Sequence, residues 1–214
     1  MLKLPLSPEL RQNNISLFKR CTKRLFDIIL ALSILPVIAP VTLILIVLAK
    51  MFNGNGLFVQ RRIGRYGESF NLYKICSMRH VEGYQTNVTT DTDPRITRFG
   101  HLIRKTKLDE FPQLINVLKG EMSFVGPRPD VPEAYEGLKK EDAIVLSIRP
   151  GITGAASIKF KNEQSLLASV SDPESYNRDV IFPAKIKINK DYITHQSLWL
   201  DLKIMLGTVI KHSS

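Results

Sequence analysis

One long apolar stretch dominates the hydrophobic pattern of this chain. Residues 28–49 carry no charged side chain, and a run of about 22 such residues is long enough to cross a bilayer as a helix. Pro36 and Pro40 lie near its middle, and each removes a backbone N–H from the helical ladder. Pro40 also leaves the carbonyl of Pro36 without a helical partner. This pattern predicts a helix that is broken at Pro40.

Basic side chains flank this stretch on both sides. They are Lys19, Arg20, Lys23 and Arg24 before it, and Lys50, Arg61, Arg62 and Arg65 after it. A spanning helix normally has a basic bias on one side only. A broken helix that enters and leaves the same leaflet keeps both ends in the cytoplasm, so we expect a re-entrant hairpin. A kinked spanning helix and a buried core helix are the alternatives.

The rest of the chain alternates short strand patterns with helical ones. Strands are predicted over 57–60 and 70–78, and a polar loop over 81–94. Helices are predicted over residues 96–107, 109–118, 134–148, 163–170, 183–194 and 198–211. The last helix is amphipathic, and Trp199 is placed to lie at a membrane interface.

These elements predict an α/β fold that is mostly helical. We expect a compact cytoplasmic domain, attached to an N-terminal proline-broken re-entrant membrane helix and carrying amphipathic interfacial helices. The predicted boundaries are a lead-in over 1–18, the membrane hairpin over 19–50, and a catalytic domain at the cytoplasmic face over 51–214.

Charge and cysteine content restrict the partners. The 214-residue chain has a net charge of +10 and a pI near 9.7, which implies an anionic partner such as nucleic acid, an anionic membrane or a phosphorylated substrate. Cys21 and Cys76 form no CxxC motif, so a disulfide framework and a structural zinc site are not expected. A metal would be a hard cation such as Mg²⁺, held by carboxylates and phosphates.

An acidic pair, Asp109 and Glu110, stands at the start of a predicted helix. The rigid turn Gly126-Pro127-Arg128-Pro129 follows it and fixes the backbone around one arginine. In one interpretation Asp109 simply caps the helix and Glu110 complements its dipole. In the other, cations keep Asp109 ionised so that it attacks a phosphate, while Glu110 holds Mg²⁺ or moves a proton.

Three further basic residues are candidate phosphate contacts. Arg104 precedes Asp109 by five residues, and Arg149-Pro150-Gly151 is a second rigid arginine turn. Lys74 lies on a predicted strand. Arg104 and Lys74 each have an ordinary alternative, since a basic residue on a helix is usually solvated and a lysine on a strand can extend its amine into water.

Together these segments resemble the bacterial sugar transferase family, the small monotopic phosphoglycosyl transferases. The resemblance runs from about Lys19 almost to the C-terminus. The matching motifs are Lys23-Arg24-Leu25-Phe26-Asp27, Gln60-Arg61-Arg62-Ile63-Gly64, Tyr73-Lys74, Asp93-Pro94-Arg95-Ile96-Thr97-Arg98-Phe99-Gly100, Leu102-Ile103-Arg104, Leu108-Asp109-Glu110-Phe111-Pro112-Gln113-Leu114, Asn116-Val117-Leu118-Lys119-Gly120-Glu121-Met122-Ser123, Val125 to Pro129 and Arg149 to Gly154.

The resemblance implies an activity and roles for these residues. Members of the family transfer a sugar-1-phosphate from a UDP-sugar to undecaprenyl phosphate and release UMP, at the cytoplasmic face of the bacterial inner membrane. By that similarity Asp109 is the nucleophile that forms a covalent phosphosugar adduct. Glu110 is its partner, and both are candidate ligands of a Mg²⁺ cofactor. The phosphate and nucleotide contacts implied by the resemblance are Lys74, Arg104, Arg128 and Arg149.

The sequence departs from the family pattern at three places. Ala39-Pro40 replaces the usual Ser-Pro at the helix break, and the serine hydroxyl that could bond a freed carbonyl is missing. Ile75 and Cys76 stand where the family has an aromatic residue and an arginine. Residues 154–160 replace a common tryptophan-alanine-glutamine run, which points to a sub-branch and to a difference in the choice of sugar.

Two other function classes are alternatives to a sugar-phosphate transferase. A non-catalytic, membrane-anchored basic module that binds anionic lipid or a partner enzyme explains the charge and the apolar stretch, but not Asp109 and Glu110 beside rigid arginines. A nucleic-acid partner is not expected, because the arginines are not interleaved with aromatic residues. The sequence leaves the donor sugar open, and also whether the chain forms a homo-oligomer.

Overall fold

The computed structural model describes residues 16–212, except residues 80, 82–88, 91–92 and 137. The α-helices in this part of the chain are α1 (Leu17–Asn53), α2 (Arg98–Lys105), α3 (Gln113–Lys119), α4 (Ala155–Lys159), α5 (Glu163–Ala168), α6 (Pro173–Tyr176), α7 (Phe182–Thr194) and α8 (Leu198–His212). A π-helix, Asn177–Ile181, lies between α6 and α7. The strands are β1 (Leu57–Ile63), β2 (Ser69–Ile75), β3 (Ser123–Val125) and β4 (Gly151–Thr153). The prediction of a mostly helical chain is confirmed.

The strands form two separate pairs. β1 and β2 are an antiparallel hairpin in which Leu57 lies opposite Ile75 and Ile63 opposite Ser69. β3 and β4 pair in parallel, and the sequence analysis missed both of them. Three residues are too few to show the alternation of polar and apolar side chains by which a strand is recognised.

Most predicted helices are present with shifted ends, but the one over 134–148 is wrong. Two short 3₁₀ turns, Pro132–Tyr135 and Ala143–Leu146, occupy that region. Tyr135 and Val145 enter the same core cluster from these separate turns, so the chain between them does not need to be helical. The loop predicted over 81–94 falls largely outside the described residues, as does most of the lead-in predicted over 1–18.

The apolar stretch forms a single helix. Pro36 and Pro40 both lie inside α1, and the interruption expected at Pro40 is not observed. Each proline removes one N–H from the ladder, and the bonds on either side of it hold the helix together. Both prolines face outward, away from the rest of the protein. A proline ring pushes against the preceding turn, so prolines on the outer face allow α1 to bend toward the domain.

One face of α1 packs against the domain and the opposite face is bare. Ala31 and Ala49 are fully buried in two of the hydrophobic clusters. The most apolar 18-residue window has a mean hydropathy of 2.7, and only 6% of it is buried. The alternative of a buried core helix is therefore wrong. Within the described residues, α1 is the one helix long and apolar enough to cross a membrane, by its length and composition.

Both ends of α1 are bonded to the domain. Near its start, the Arg24 guanidinium donates to the carbonyls of Val117 and Leu118 at 2.6 and 2.9 Å. At its end, the Asn53 amide donates to the carbonyl of Cys76 at 2.6 Å. The same globular unit therefore holds the helix on both sides of its apolar segment.

α8 presents a second bare apolar face. Its exposed side chains are Trp199, Leu202, Leu206, Val209 and Ile210, which recur at the three- and four-residue spacing of one helix face. The opposite face is buried, including Asp201 and Ile204. Apolar side chains therefore lie on both the exposed and the buried faces of α8, and its position at a membrane interface stays a prediction.

Candidate active site

Asp109 and Glu110 lie in a 3₁₀ turn, Leu108–Glu110, between α2 and α3. Lys107 precedes the turn with a φ of 55°, a left-handed conformation that few non-glycine residues adopt. The Asp109 side chain makes no capping bond, and α3 begins only after Pro112. The prediction that Asp109 caps a helix over 109–118 is wrong, because Lys107 redirects the chain and Leu108 packs into a hydrophobic cluster.

Asn116 holds α3 against the β1–β2 hairpin. Its side chain is fully buried; the amide donates to the carbonyl of Asn71 at 2.7 Å and the side-chain oxygen accepts from the Tyr73 N–H at 3.3 Å. The residue after Tyr73 is Lys74, whose amine lies 3.3 Å from Glu110 Oε1. Docking of α3 on β2 is thus what brings a strand lysine to the acidic pair.

Arg128 approaches Glu110 from the turn after β3. The Gly126 N–H donates to the carbonyl of Thr153 at 3.0 Å, which ties the turn to β4. A Cβ at Gly126 would stand 2.5 Å from the carbonyl oxygen of Arg149, so no other residue fits this close approach. Arg128 then donates to Glu110 Oε1 at 2.5 Å and to Oε2 at 3.5 Å.

Glu110 is an ionised carboxylate neutralised by two cations. Burial alone would raise its pKa, but the charges of Arg128 and Lys74 outweigh burial and hold the pKa of Glu110 far below its usual value. Both carboxylate oxygens are bonded to Arg128. Glu110 therefore orients the two cations and has little capacity left for another ligand.

Asp109 has the opposite character. It is 5% exposed, and its Oδ1 has no hydrogen-bond partner among the described residues. Burial raises the pKa of Asp109. The positive charge of Lys74 lowers this pKa, and the negative charge of Glu110 raises it further. A desolvated carboxylate with a bare oxygen and a raised pKa is more basic than an exposed aspartate, which favours a role as nucleophile or metal ligand.

Arg104 completes this group. Burial lowers the pKa of Arg104, and the negative charges of Asp109, Asp93 and Glu110 oppose that effect. The structure thus brings Lys74, Arg104 and Arg128 around the acidic pair, as the sequence analysis predicts. The acidic pair thus lies among three cations, and such a group of positive charges suits a diphosphate.

Arg149 lies elsewhere. Its Nε donates to the carbonyl of Gly120 at 2.7 Å, just beyond the C-terminal end of α3. The seven residues of α3 separate this point from Glu110, about 10 Å along the helix axis. The charged neighbours of Arg149 are Arg65, Arg24 and Asp27. The structure does not place it with the other predicted contacts, and the second proline turn could not reveal this because its direction depends on β4.

Comparison with known proteins matches residues 18–213 to the family described as bacterial sugar transferase. The chain belongs to the bacterial sugar transferase family. It is 35% identical over 198 residues to a UDP-glucose:undecaprenyl-phosphate glucose-1-phosphate transferase of Escherichia coli (strain K12), a match that covers 90% of this chain and 40% of that protein.

Two other relatives are also similar to this chain. A UDP-galactose-lipid carrier transferase of Erwinia amylovora is 34% identical over 206 residues, covering 89% of this chain and 40% of the relative. The exopolysaccharide production protein ExoY of Sinorhizobium fredii (strain NBRC 101917 / NGR234) is 31% identical over 205 residues, covering 88% and 84%. The chain therefore spans about two fifths of the length of several relatives that it matches.

Arg62 also lies at this site. The sequence analysis names it only among the basic residues that follow the apolar stretch. Its guanidinium donates to Gln60 Oε1 at 2.7 Å, while its Nε is buried without a hydrogen-bond partner in the described part of the chain. Burial lowers the pKa of Arg62. The negative charge of Asp130 raises this pKa, and the positive charge of Arg128 lowers it further. Gln60, Arg62 and Lys74 project from one face of the hairpin, given the register of β1 and β2. The strand predicted over 57–60 ends before Arg62, so the sequence pattern did not place Arg62 on that face.

The donor set can be tested for a divalent cation. No cluster of three or more histidine, cysteine or acidic side chains with metal-binding geometry occurs within the described residues. Mg²⁺ commonly takes one or two protein carboxylates and completes its shell with water and substrate phosphates. The bare Oδ1 of Asp109 fits that role, whereas both oxygens of Glu110 are already bonded to Arg128.

Proposed function

We propose that this chain transfers a sugar-1-phosphate from a UDP-sugar to undecaprenyl phosphate and releases UMP, through a covalent adduct on Asp109. Relatives with about 35% identity carry the names of sugar-phosphate transferases that use undecaprenyl phosphate. The observation that carries the proposal is the division of roles in the acidic pair. Glu110 is neutralised by Arg128 and Lys74, and Asp109 keeps a buried oxygen free.

The reaction proceeds in two displacements. An Asp109 oxygen attacks the sugar-bearing phosphorus of the donor; a P–O bond forms, and the bond from that phosphorus to the bridging oxygen breaks. UMP leaves with the bridging oxygen. An oxygen of undecaprenyl phosphate then attacks the same phosphorus, the acyl-phosphate bond breaks, and Asp109 is restored as the lipid diphosphate sugar departs.

The surrounding cations stabilise this displacement. Arg128 and Lys74 are fixed by Glu110, so they are oriented before the substrate arrives. Arg104 and Arg62 add charge at the same group of residues. Mg²⁺ bound by Asp109 and the diphosphate would offset negative charge on the leaving UMP.

We propose that α1 enters and leaves one leaflet and that the domain lies at the cytoplasmic face of the inner membrane. Arg24 and Asn53 bond the two ends of the apolar segment to one globular unit. A span would place these ends on opposite sides of a hydrocarbon layer about 30 Å thick. Outward-facing Pro36 and Pro40 give the helix the freedom to bend that this arrangement needs.

Asp109→Asn tests the chemistry in detergent-solubilised protein with Mg²⁺, a panel of UDP-sugars and undecaprenyl phosphate. We expect no UMP release and no mass increase from a phosphosugar adduct. Asp191→Asn is the matched control, because its exposed carboxylate lies outside the site, and it should retain both. Turnover by Asp109→Asn would refute the proposed nucleophile. Binding to anionic vesicles without turnover of any donor would favour the non-catalytic anchored module.

The native cysteines offer a direct test of topology. Cys21 is exposed near the start of α1, and Cys76 is buried. A second probe is introduced as Ser169→Cys at an exposed position on the domain. In spheroplasts a membrane-impermeant maleimide should leave both thiols unlabelled and should react with both after lysis. Labelling of only one of the two in intact spheroplasts would show that α1 spans the membrane.

A further inference from the structure

A second basic pocket lies beside the first turns of α1. It is a small pocket, with a volume of about 40 Å³, and it is open to solvent. Three arginines from different parts of the chain line it, together with three neutral polar side chains: Arg20, Arg65, Arg149, Ser123, Ser147 and Gln196. The reaction proposed above uses none of the neutral three, and Arg149 lies at the opposite end of α3 from Glu110.

The cations of this pocket differ in how well they are neutralised. Lys23 and Asp27 also line the pocket, and Lys23 is paired with the buried carboxylates of Asp27 and Asp201. In the described part of the chain, Arg65 has no ion pair and Arg149 donates a single hydrogen bond, from Nε to a carbonyl. Burial, followed by the charges of Arg65 and Arg24, lowers the pKa of Arg149 to about 10. Positive charge is thus concentrated where an anion would relieve it.

The hairpin turn holds Arg65 in place. Tyr66 has a φ of 60°, in the left-handed region that disfavours a residue with a side chain. In this conformation its ring lies 4.8 Å from the Arg65 guanidinium carbon, and its hydroxyl accepts from Arg20 at 3.4 Å. One strained residue therefore contacts two of the three arginines and limits their freedom before any ligand arrives.

The position of the pocket along α1 indicates its ligand. Arg20 and Lys23 line the pocket, and the exposed apolar side chains of Leu25 and Ile29 follow within about two turns. A basic pocket at the polar edge of a membrane segment lies at the level of lipid phosphates. We propose that this pocket binds the phosphate group of a membrane phospholipid headgroup, separately from the phosphates that react at Asp109.

Native mass spectrometry of the full chain in detergent tests this proposal, with dioleoyl phosphatidylglycerol as the probe. Arg65→Gln removes one of the positive charges that line the pocket. Arg61→Gln is the matched control, because Arg61 lies on the same hairpin and bonds Ser69 outside the pocket. We expect Arg65→Gln to bind the lipid about tenfold more weakly, the loss of one charge-assisted hydrogen bond, and Arg61→Gln to bind it as the wild type does.

Equal binding by Arg65→Gln and Arg61→Gln would overturn the proposal, as would a wild-type protein that retains no lipid. Inorganic phosphate is the second probe, and its displacement of the lipid at equal concentration would show a site for soluble phosphate instead. The lipid site does not rest on the proposed transfer reaction. Asp109→Asn should therefore bind the lipid as tightly as the wild type, even where its UMP release is abolished.

Discussion

Lys23 joins α1 to α8 through two buried carboxylates. Its amine lies 3.2 Å from Asp27 Oδ1 and 3.0 Å from Asp201 Oδ2. The exposed fractions of those two residues are 1% and 0%. Asp201 also accepts a hydrogen bond from the Tyr192 hydroxyl at 2.6 Å. One lysine therefore offsets two desolvated negative charges, and its removal should be costly.

Lys23→Met keeps an apolar stem and deletes the charge, which leaves Asp27 and Asp201 unpaired. Breaking a buried ion pair costs about 3–5 kcal/mol. In a chain of this size 1 kcal/mol shifts the melting temperature by about 2–4 °C, so we expect a fall of roughly 6–20 °C. Adding Asp201→Asn removes one of the two unpaired charges, and the double variant should melt above Lys23→Met.

The loss of stability in Lys23→Met should also depend on pH. Burial raises the pKa of Asp201, and the charge of Lys23 opposes burial. Without Lys23 that pKa rises further, so the folded state holds a proton that the unfolded state releases. Stability then falls as the pH increases from the unfolded-state pKa of about 4 to the higher folded-state value. The difference in melting temperature between Lys23→Met and wild type should therefore shrink as the pH is lowered toward 4.

Thermal unfolding followed by circular dichroism in detergent measures these shifts. Lys19→Met is the matched control, because Lys19 is an exposed lysine on the same helix, and it should melt within about 2 °C of wild type. A Lys23→Met variant within that same margin would refute the reasoning. So would a double variant less stable than Lys23→Met, because it would show that the carboxylate of Asp201 stabilises the fold without its lysine.

Three further variants test the candidate active site. In Lys74→Met the pKa of Asp109 should rise, because the Lys74 charge lowers it; the acidic limb of kcat/KM for UMP release should then move to higher pH. Arg128→Lys cannot bond both oxygens of Glu110, and kcat should fall on the order of tenfold. Arg62→Gln should lower kcat/KM by a similar factor, on the order of tenfold, while Arg61→Gln should not. Unchanged steady-state kinetics in any of these three would remove that residue from the site.

The sequence was informative about the site where the motifs are rigid. Arg128 is held between two prolines, and it does contact Glu110. The motif could not show which carboxylate is neutralised, because that depends on Lys74 reaching Glu110 across 36 residues of sequence. Docking of α3 on β2 decides this, and the bond network of a buried asparagine is invisible in a hydrophobic pattern.

Predictions failed where tertiary packing overrides local preference. Pro40 does not interrupt α1, since contacts on the domain-facing side hold the helix on both sides of it. The family resemblance implies that Arg149 is one of the phosphate contacts. The parallel pairing of β4 with β3 sends it to the far end of α3 instead. Strand pairing over long sequence separations leaves no short-range pattern to detect.

One hydrophobic cluster connects α1 to the residue beside the proposed nucleophile. Ala49 of α1 is buried with Ile103 of α2, and Leu108, the neighbour of Asp109, packs against them. Because a close-packed cluster moves as a unit, the position of Asp109 is fixed relative to α1. The phosphate of a lipid acceptor lies at the membrane surface. In the proposed reaction, the depth to which α1 inserts therefore sets whether nucleophile and acceptor meet.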